Sequence, residues 1–166
     1  MSQDQDEHAT IDPGDFRRVL GHFPTGVTVV TAAGADRPIG VAIGSFASIS
    51  LDPPLVGFFL GTSSGSWPPM REAGHFCVNV LCHDQLELCG TMASKAEDKF
   101  EGVDWVPAGT GAPILPGAHA IIDCTIDQVV ELGDHNLIVG RVQHLETGRD
   151  DPPMVFYKGQ YGSFGG

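Results

Sequence analysis

Small hydroxyl-bearing residues follow an apolar run in the segment Gly61-Thr62-Ser63-Ser64-Gly65-Ser66, and this composition could do chemistry. Its first five residues satisfy GxSxG, the pattern of a hydrolase nucleophile elbow. Such an elbow leads directly into a helix, whereas Pro68-Pro69 follows closely here, and adjacent triad partners at Asp134 and His135 would be geometrically unusual. We therefore favour a loop whose hydroxyls and backbone N–H groups hold a phosphate near a helix start. A serine hydrolase and a plain surface loop are the alternatives.

A second segment, residues 40–50, combines glycine, alanine and serine with β-branched residues. Small residues allow a planar ligand to lie directly on the backbone. An isoalloxazine ring suits such a surface, because its N1–C2=O2 edge becomes anionic on reduction and backbone N–H groups stabilise that charge. Ser45 and Ser48 could reach the ring edge or a phosphate. The alternative is a tight crossing of two strands that binds no ligand.

Short strands separated by turns must position these segments. Asp12-Pro13 predicts the start of a helix that ends at Gly21, and shorter helices are expected at 70–73, 84–92 and around 98–100. The predicted strands cover residues 27–31, 39–43, 55–60, 76–81, 120–130, 136–145 and 153–157. Residues 131–134 should form the turn between the two long strands, and residues 159–166 a turn and tail. This order predicts a mainly β, antiparallel closed or split barrel with short peripheral helices, without the GxGxxG site of a Rossmann fold.

The composition indicates one domain over residues 12–166, preceded by a disordered acidic tail over residues 1–11. A net charge of −12 with only 9 Lys and Arg argues against a nucleic-acid or anionic-membrane partner. No apolar run is long enough to cross a bilayer, and residues 1–10 lack a secretory signal, so a cytoplasmic protein is expected. The four cysteines (Cys77, Cys82, Cys89 and Cys124) have no zinc-site or CxxC spacing. We expect buried reduced thiols and no metal site, with a disulfide or metal role as the alternative.

Several motifs, taken in their order along the chain, resemble one known family. They are the runs 16–31 (FRRVLGHFPTGVTVVT), 45–56 (SFASISLDPPLV), 64–67 (SGSW), 74–81 (GHFCVNVL), 98–100 (DKF), 133–135 (GDH) and 156–161 (FYKGQY). Together they resemble the short-chain flavin reductases, the reductase components of two-component flavin-dependent monooxygenases. The resemblance covers about residues 15 to 161.

This resemblance implies an FMN-binding split β-barrel of Greek-key topology, usually a homodimer with flavin at or near the interface. It also implies an NAD(P)H:flavin oxidoreductase (EC 1.5.1.-) that reduces FMN or FAD with NADH or NADPH. The reduced flavin then passes to a flavin-dependent monooxygenase component. The alternative is an electron-transfer module that holds flavin tightly without releasing it.

The resemblance also implies roles for individual residues. Isoalloxazine contacts fall on Pro38, Ile39, Gly40, Val41, Ala42, Gly44 and Ser45; ribityl and phosphate contacts on Ser48, Leu60, Gly61, Thr62, Gly65 and Ser66; and the far wall on Thr91, Met92, Lys99 and Phe100. The nicotinamide side falls on Tyr157, Lys158 and Gly159, together with His135 as the catalytic candidate. A turn histidine that faces water is the alternative for His135. Gly44 departs from relatives that carry Asn before Ser-Phe, which removes one side-chain hydrogen bond to the flavin.

Overall fold

The computed structural model describes residues 10–165 of the chain. Most of the predicted acidic tail, residues 1–9, lies outside the described residues. Thr10 and Ile11, which complete that tail, belong to neither a helix nor a strand. Within the described part, no helix is long and apolar enough to cross a membrane.

Residues 10–165 contain twelve strands and three short helices. The helices are α1 (Pro13–Leu20), α2 (Trp67–Ala73) and α3 (Leu86–Ala93). The strands are β1 (Thr25–Gly26), β2 (Thr28–Ala33), β3 (Pro38–Ile43), β4 (Ala47–Leu51), β5 (Pro54–Gly61), β6 (His75–Val80), β7 (Val106–Pro107), β8 (Pro113–Ile114), β9 (Ala120–Leu132), β10 (His135–Thr147), β11 (Met154–Tyr157) and β12 (Gln160–Ser163). Helix α1 begins as predicted, with the Asp12 side chain accepting from the backbone N–H groups of Gly14 and Asp15.

The structure differs from the predicted elements in several details. Residues 98–100 form no helix, because the Asp98 side chain accepts from the backbone N–H of Phe100 and competes with a helical turn. Strand β4 was not predicted, and β12 forms where only a turn and tail were expected. The turn between β9 and β10 contains only Gly133 and Asp134, so both strands run further than predicted.

Seven strands form one antiparallel sheet in the order β3-β2-β6-β9-β10-β5-β4. Laid flat, its two edges would be roughly 29 Å apart at about 4.8 Å per strand. Yet only residues 44–46 connect edge strand β3 to edge strand β4, and four Cα steps of about 3.8 Å span at most roughly 15 Å. The sheet must therefore curl until its edges approach. Because β3 and β4 share no hydrogen-bond ladder, a seam stays open, which confirms the predicted split barrel.

Strand β2 lies at the centre of the packing and is covered on both faces. Val30 packs into the barrel interior with Phe58 and Phe76, whose rings meet edge to face at 5.1 Å. Val29 points to the opposite face and packs under α3 with Met92. This double burial explains why five consecutive residues, Thr28–Ala32, are buried instead of every second one.

The four cysteines are all free and buried. Burial raises the pKa of the thiols of Cys77 and Cys124 to about 12, and the carboxylate of Asp123 between them in the sheet adds to both shifts. These thiols are therefore packing groups rather than nucleophiles. Among residues 10–165, no cluster of His, Cys, Asp or Glu is arranged to hold a metal ion.

Candidate functional site

A cleft of about 880 Å³ opens along β3, and we call it the β3 cleft. It is lined by residues 34–42 from β3 and the turn before it, by residues 63–66 from the hydroxyl-rich loop, by Pro69 and Glu72 of α2, and by residues 92–97 and Lys99 beyond α3. The predicted site residues that it brings together are Pro38, Ile39, Gly40, Val41, Ala42, Gly65, Ser66, Met92 and Lys99. Two segments singled out separately in the sequence thus face one another.

The edge position of β3 makes its backbone available to a ligand. Strand β3 pairs with β2 on one side only. In an antiparallel pair, alternate N–H and C=O groups point away from the partner strand. Part of the backbone of Pro38–Ile43 therefore offers hydrogen bonds on its unpaired side. A planar ligand edge that needs donors would find them here.

Gly40 lies where a side chain would collide with the core, which was not predicted from the sequence. A Cβ atom built there would lie 2.5 Å from Sδ of Met92 and 3.1 Å from the ring of Phe100. Both side chains are buried in the core beneath β3. The missing side chain therefore lets α3 and Phe100 approach the strand, so Gly40 serves core packing on this face.

Lys99 connects strand β3 to the end of α3 at the β3 cleft. Its ammonium donates to the carbonyl of Gly40 at 3.0 Å and to that of Met92 at 2.9 Å. Desolvation lowers the pKa of this lysine. Because an ammonium has three N–H donors, one remains after these two bonds. Lys99 thus holds the end of α3 against β3 and keeps one donor.

The hydroxyl-rich loop folds back on itself beside the cleft. The backbone N–H of Ser66 donates to the Ser64 hydroxyl at 3.3 Å, and α2 begins directly afterwards at Trp67. Pro68 and Pro69 therefore lie in the first turn of that helix instead of preventing it, which corrects one ground for rejecting the hydrolase pattern. Thr62 is different from the serines, since its hydroxyl and N–H both donate to the carbonyl of Asp134.

Five further predicted residues lie in the crossing from β3 to β4, on β4 or at the end of β5, and none of them lines the β3 cleft. The Ser45 hydroxyl accepts from the N–H of Phe59 at 2.9 Å and donates to the carbonyl of the same residue at 3.2 Å, so it fastens the crossing to β5. Gly44 is exposed, and a Cβ there would lie 3.1 Å from Oγ1 of Thr25. The other three are the exposed Ser48, the buried Leu60, whose side chain packs in the core, and the half-buried Gly61.

His135 is the first residue of β10 and lies opposite Gly61 of β5. Its side chain is half exposed, and Nδ1 lies 2.7 Å from Oδ1 of Asp134. This hydrogen bond lowers the pKa of Asp134. The bond to Nδ1 orients the ring and leaves Nε2 for another partner. His135 does not line the β3 cleft. The turn that precedes it is nevertheless connected to the hydroxyl-rich loop of the cleft, because Thr62 donates to the carbonyl of Asp134.

Tyr157 lines a second cavity of about 500 Å³, formed with residues 160–163, Val155, His22 and Pro24. Lys158 has φ 49°, Gly159 has φ 76°, and together they form the tight turn between β11 and β12. The ammonium of Lys158 lies 5.3 Å from the centre of the Tyr157 ring. These three predicted residues are therefore grouped, but outside the β3 cleft.

Thr91 and Phe100 are placed behind the cleft wall. The Thr91 hydroxyl donates to the carbonyl of Glu87 within α3, and Phe100 is buried under Gly40. Their predicted contact with a ligand stays a prediction that this geometry does not strengthen.

The charged mouth of the cleft was not predicted from the sequence. Arg37 donates to Glu97 at 2.8 Å, which connects the turn before β3 to the segment after α3. Nothing local in the sequence pairs these two residues, because they are 60 positions apart. Only the hairpin of β2 and β3 and the return of the chain past α3 bring them together.

Together these features define a class of protein: an antiparallel split barrel whose open cleft joins an apolar strand edge to hydroxyls and cations. Residues 20–165 match the family model described as Flavin reductase like domain. The chain belongs to this family.

Individual relatives cover nearly the whole chain. A flavin reductase of Pseudomonas putida is 48% identical over 157 residues, 94% of this chain and 92% of that protein. The reductase subunit HsaB of a flavin-dependent monooxygenase from Rhodococcus jostii is 46% identical over 91% of this chain and 77% of its own length. SmoA of Agrobacterium fabrum, an FMN reductase (NADH), is 40% identical over 95% and 92%. Among solved structures, nitrilotriacetate monooxygenase component B from Mycobacterium thermoresistibile superimposes with a TM-score of 0.88 at 43% identity, covering 92% of this chain and 86% of that one.

The role assigned to Gly40 predicts opposite effects for two glycine substitutions. Gly40→Ala should lower the free energy of unfolding by about 1–3 kcal/mol, because its methyl group meets Met92 and Phe100. Gly90→Ala lies at an exposed position of α3, where the new Cβ would meet no atom within 4 Å beyond its chain neighbours and its own helix backbone, and it should raise the free energy of unfolding by about 0.5–1 kcal/mol. Urea unfolding of both variants measures the difference. A Gly40→Ala protein as stable as the parent would contradict the packing role.

Proposed function

We propose that this protein is an NAD(P)H-dependent flavin reductase that reduces FMN or FAD and releases the reduced flavin. The observation that carries the proposal is the β3 cleft, which places an apolar strand edge opposite a loop rich in serine hydroxyls. An isoalloxazine ring needs the first surface and a ribityl phosphate needs the second. Membership of the flavin reductase family supports the same conclusion.

The residues of the cleft fit a flavin in size and in chemistry. A volume of about 880 Å³ lies within the usual range for small-molecule sites. The unpaired edge of β3 supplies backbone donors for the ring, and Ser64 and Ser66 supply hydroxyls for the phosphate. Arg37, Lys95 and Lys99 supply positive charge on the same cleft.

The chain's own residues have to position the reactants rather than react with them. Bound flavin supplies the hydride acceptor, and a nicotinamide supplies the hydride. Holding the two reactants in a productive orientation would provide most of the rate enhancement. Backbone N–H groups of β3 would stabilise negative charge on the edge of a bound flavin ring, and Lys99 holds β3 and the end of α3 at a fixed distance. No nucleophilic side chain is required.

We propose a flavin-dependent monooxygenase component as the recipient of the reduced flavin. HsaB is itself named as a reductase subunit of such an enzyme. The activity belongs with NAD(P)H:flavin oxidoreductases (EC 1.5.1.-), and SmoA supports NADH as one donor. The four free cysteines of this chain are consistent with a reducing compartment, and we propose that the protein acts in the cytoplasm.

The reductase proposal predicts that the purified protein oxidises NADH or NADPH rapidly only after FMN or FAD is added. The loss of absorbance of the reduced nicotinamide, followed for each donor with each flavin, measures this dependence. A protein that stays yellow through desalting and does not turn over added flavin would favour the alternative, an electron-transfer module that retains its flavin. Absence of nicotinamide oxidation with any flavin would contradict the reductase function.

We propose that His135 positions the nicotinamide or supplies a proton to the reduced product. Its ring is oriented by Asp134 and half exposed next to the loop at Gly61 and Thr62. Replacement by Ala should lower kcat/KM for the nicotinamide roughly tenfold, the loss expected for one charge-assisted hydrogen bond.

His144→Ala is the matched control for that substitution. His144 also lies on β10, is also exposed, and also has a carboxylate neighbour, Glu146, at 3.3 Å. Steady-state kinetics over a range of nicotinamide concentrations should show the loss for His135→Ala alone, with unchanged flavin affinity. Equal kinetics for the two variants would mean that His135 is an ordinary turn histidine.

We propose that the protein forms a homodimer in which α1 contacts a second copy. This eight-residue helix buries none of its residues in the described chain, and Phe16, Val19 and Leu20 are each more than half exposed. Isolated helices of this length are marginal in water, so an apolar partner surface would explain its persistence.

Light scattering after size exclusion should give a mass twice the 17.6 kDa of one chain. Phe16→Ser combined with Leu20→Ser should weaken the association more than tenfold, because each buried apolar side chain contributes about 1.5–3 kcal/mol. Arg18→Ser serves as the control on the same helix. A monomeric parent protein at tens of micromolar would refute the dimer.

A further inference from the structure

The ion pair between Arg37 and Glu97 stands at the mouth of the β3 cleft. Both residues line the cleft, and Nη2 of Arg37 lies 2.8 Å from Oε1 of Glu97. The Glu97 side chain is 84% exposed and the Arg37 side chain 46% exposed. Neither is held by burial, so each can exchange this partner for another.

The charges around the cleft are balanced, although the protein as a whole is strongly acidic. Arg37, Lys95 and Lys99 face the cleft, and so do Asp36, Glu72 and Glu97. A phosphate monoester carries about −1.5 to −2 at neutral pH and accepts bidentate hydrogen bonds from arginine. Among the cations of this cleft, Lys99 already donates to two carbonyls. Within residues 10–165, the side chain of Arg37 donates to the exposed carboxylate of Glu97 and to no other group.

We propose that Glu97 competes with the flavin phosphate for Arg37 and thereby limits the affinity of the protein for its flavin. In the ligand-free protein the carboxylate of Glu97 occupies the guanidinium. Phosphate binding must displace it, so part of the attraction between Arg37 and phosphate is spent on breaking the ion pair. Glu97 is therefore a residue that sets flavin release, and Arg37 is the phosphate ligand that it regulates.

This inference rests on the proposed function, because only a reductase that hands its flavin on benefits from a weakened phosphate site. An exposed ion pair is a modest competitor. Its measured strengths correspond to a factor of about 1.4 to 5 in an equilibrium constant. An effect of that size tunes release without preventing binding.

Spectroscopic titration of the full-length protein with FMN and with riboflavin tests the proposal. Glu97→Gln should tighten FMN binding about two- to fivefold and slow FMN dissociation accordingly, while riboflavin, which lacks the phosphate, binds with unchanged affinity. Arg37→Gln should weaken FMN binding and leave riboflavin unaffected. In the Arg37→Gln background, Glu97→Gln should have no further effect, because the two residues act through one interaction.

Two carboxylate-to-amide controls separate competition from a general loss of negative charge. Glu72→Gln removes a charge from the same cleft, and within residues 10–165 Glu72 makes no ion pair. Asp127→Asn breaks an exposed ion pair with Arg141 on the β9–β10 hairpin. Both should tighten FMN binding less than Glu97→Gln does.

Several outcomes would overturn the proposal. FMN affinity unchanged by Glu97→Gln would do so, as would equal tightening of riboflavin, or an equal effect of Glu72→Gln. Each of these results leaves flavin binding and reduction by the parent protein intact, and so does not touch the proposed function. Failure of the parent protein to bind either flavin would instead refute the proposed function itself.

Discussion

The short crossing from β3 to β4 is the constraint on which the rest of the structure depends. Residues 44–46 connect the two edges of a seven-stranded sheet, and so few residues can reach only if the sheet curls. Ser45 fastens the crossing through hydrogen bonds with the backbone of Phe59. Closure in this form brings the edges together without pairing them. The unpaired edge of β3 is therefore a consequence of how the barrel closes, and it is this edge that a ligand can use.

The same strand has to satisfy the core and the site at once. On one face, Gly40 admits Met92 and Phe100, which packs α3 against the barrel. Lys99 then uses the carbonyls of Gly40 and Met92 to hold the segment after α3 across the cleft. The position of that segment determines where Glu97 and Lys95 stand. The charged mouth of the cleft thus depends on a packing contact beneath the strand.

The sequence predicted those parts of the fold that local patterns control. The helix capped by Asp12, the β2–β3 hairpin and the long β9–β10 pair follow from capping residues, β-branched runs and turn residues, and the structure confirms them. Strand β4 was not predicted, because the turn at Asp52 and Pro53 gives no local signal that β4 pairs with β5 across it. The helix predicted at residues 98–100 does not form, because the Asp98 side chain accepts a hydrogen bond from the backbone N–H of Phe100. Within the site, the small-residue strand and the hydroxyl loop could be found from composition, whereas their placement on opposite sides of one cleft depends on contacts between distant segments.

The small number of free positive charges determines how the site can bind a phosphate. The chain has 9 Lys and Arg against 21 Asp and Glu, and several of the basic side chains are already committed to ion pairs, such as Arg149 with Asp84. A long-range field from such a protein repels an anionic ligand. Recognition of a flavin phosphate must therefore come from short-range donors, namely hydroxyls, backbone N–H groups and the few cations aimed into the cleft. Short-range donors give selectivity for the phosphate group without the strong attraction that would retain it. Binding that is selective but not tight is what a protein needs if its reduced flavin is to leave for another enzyme.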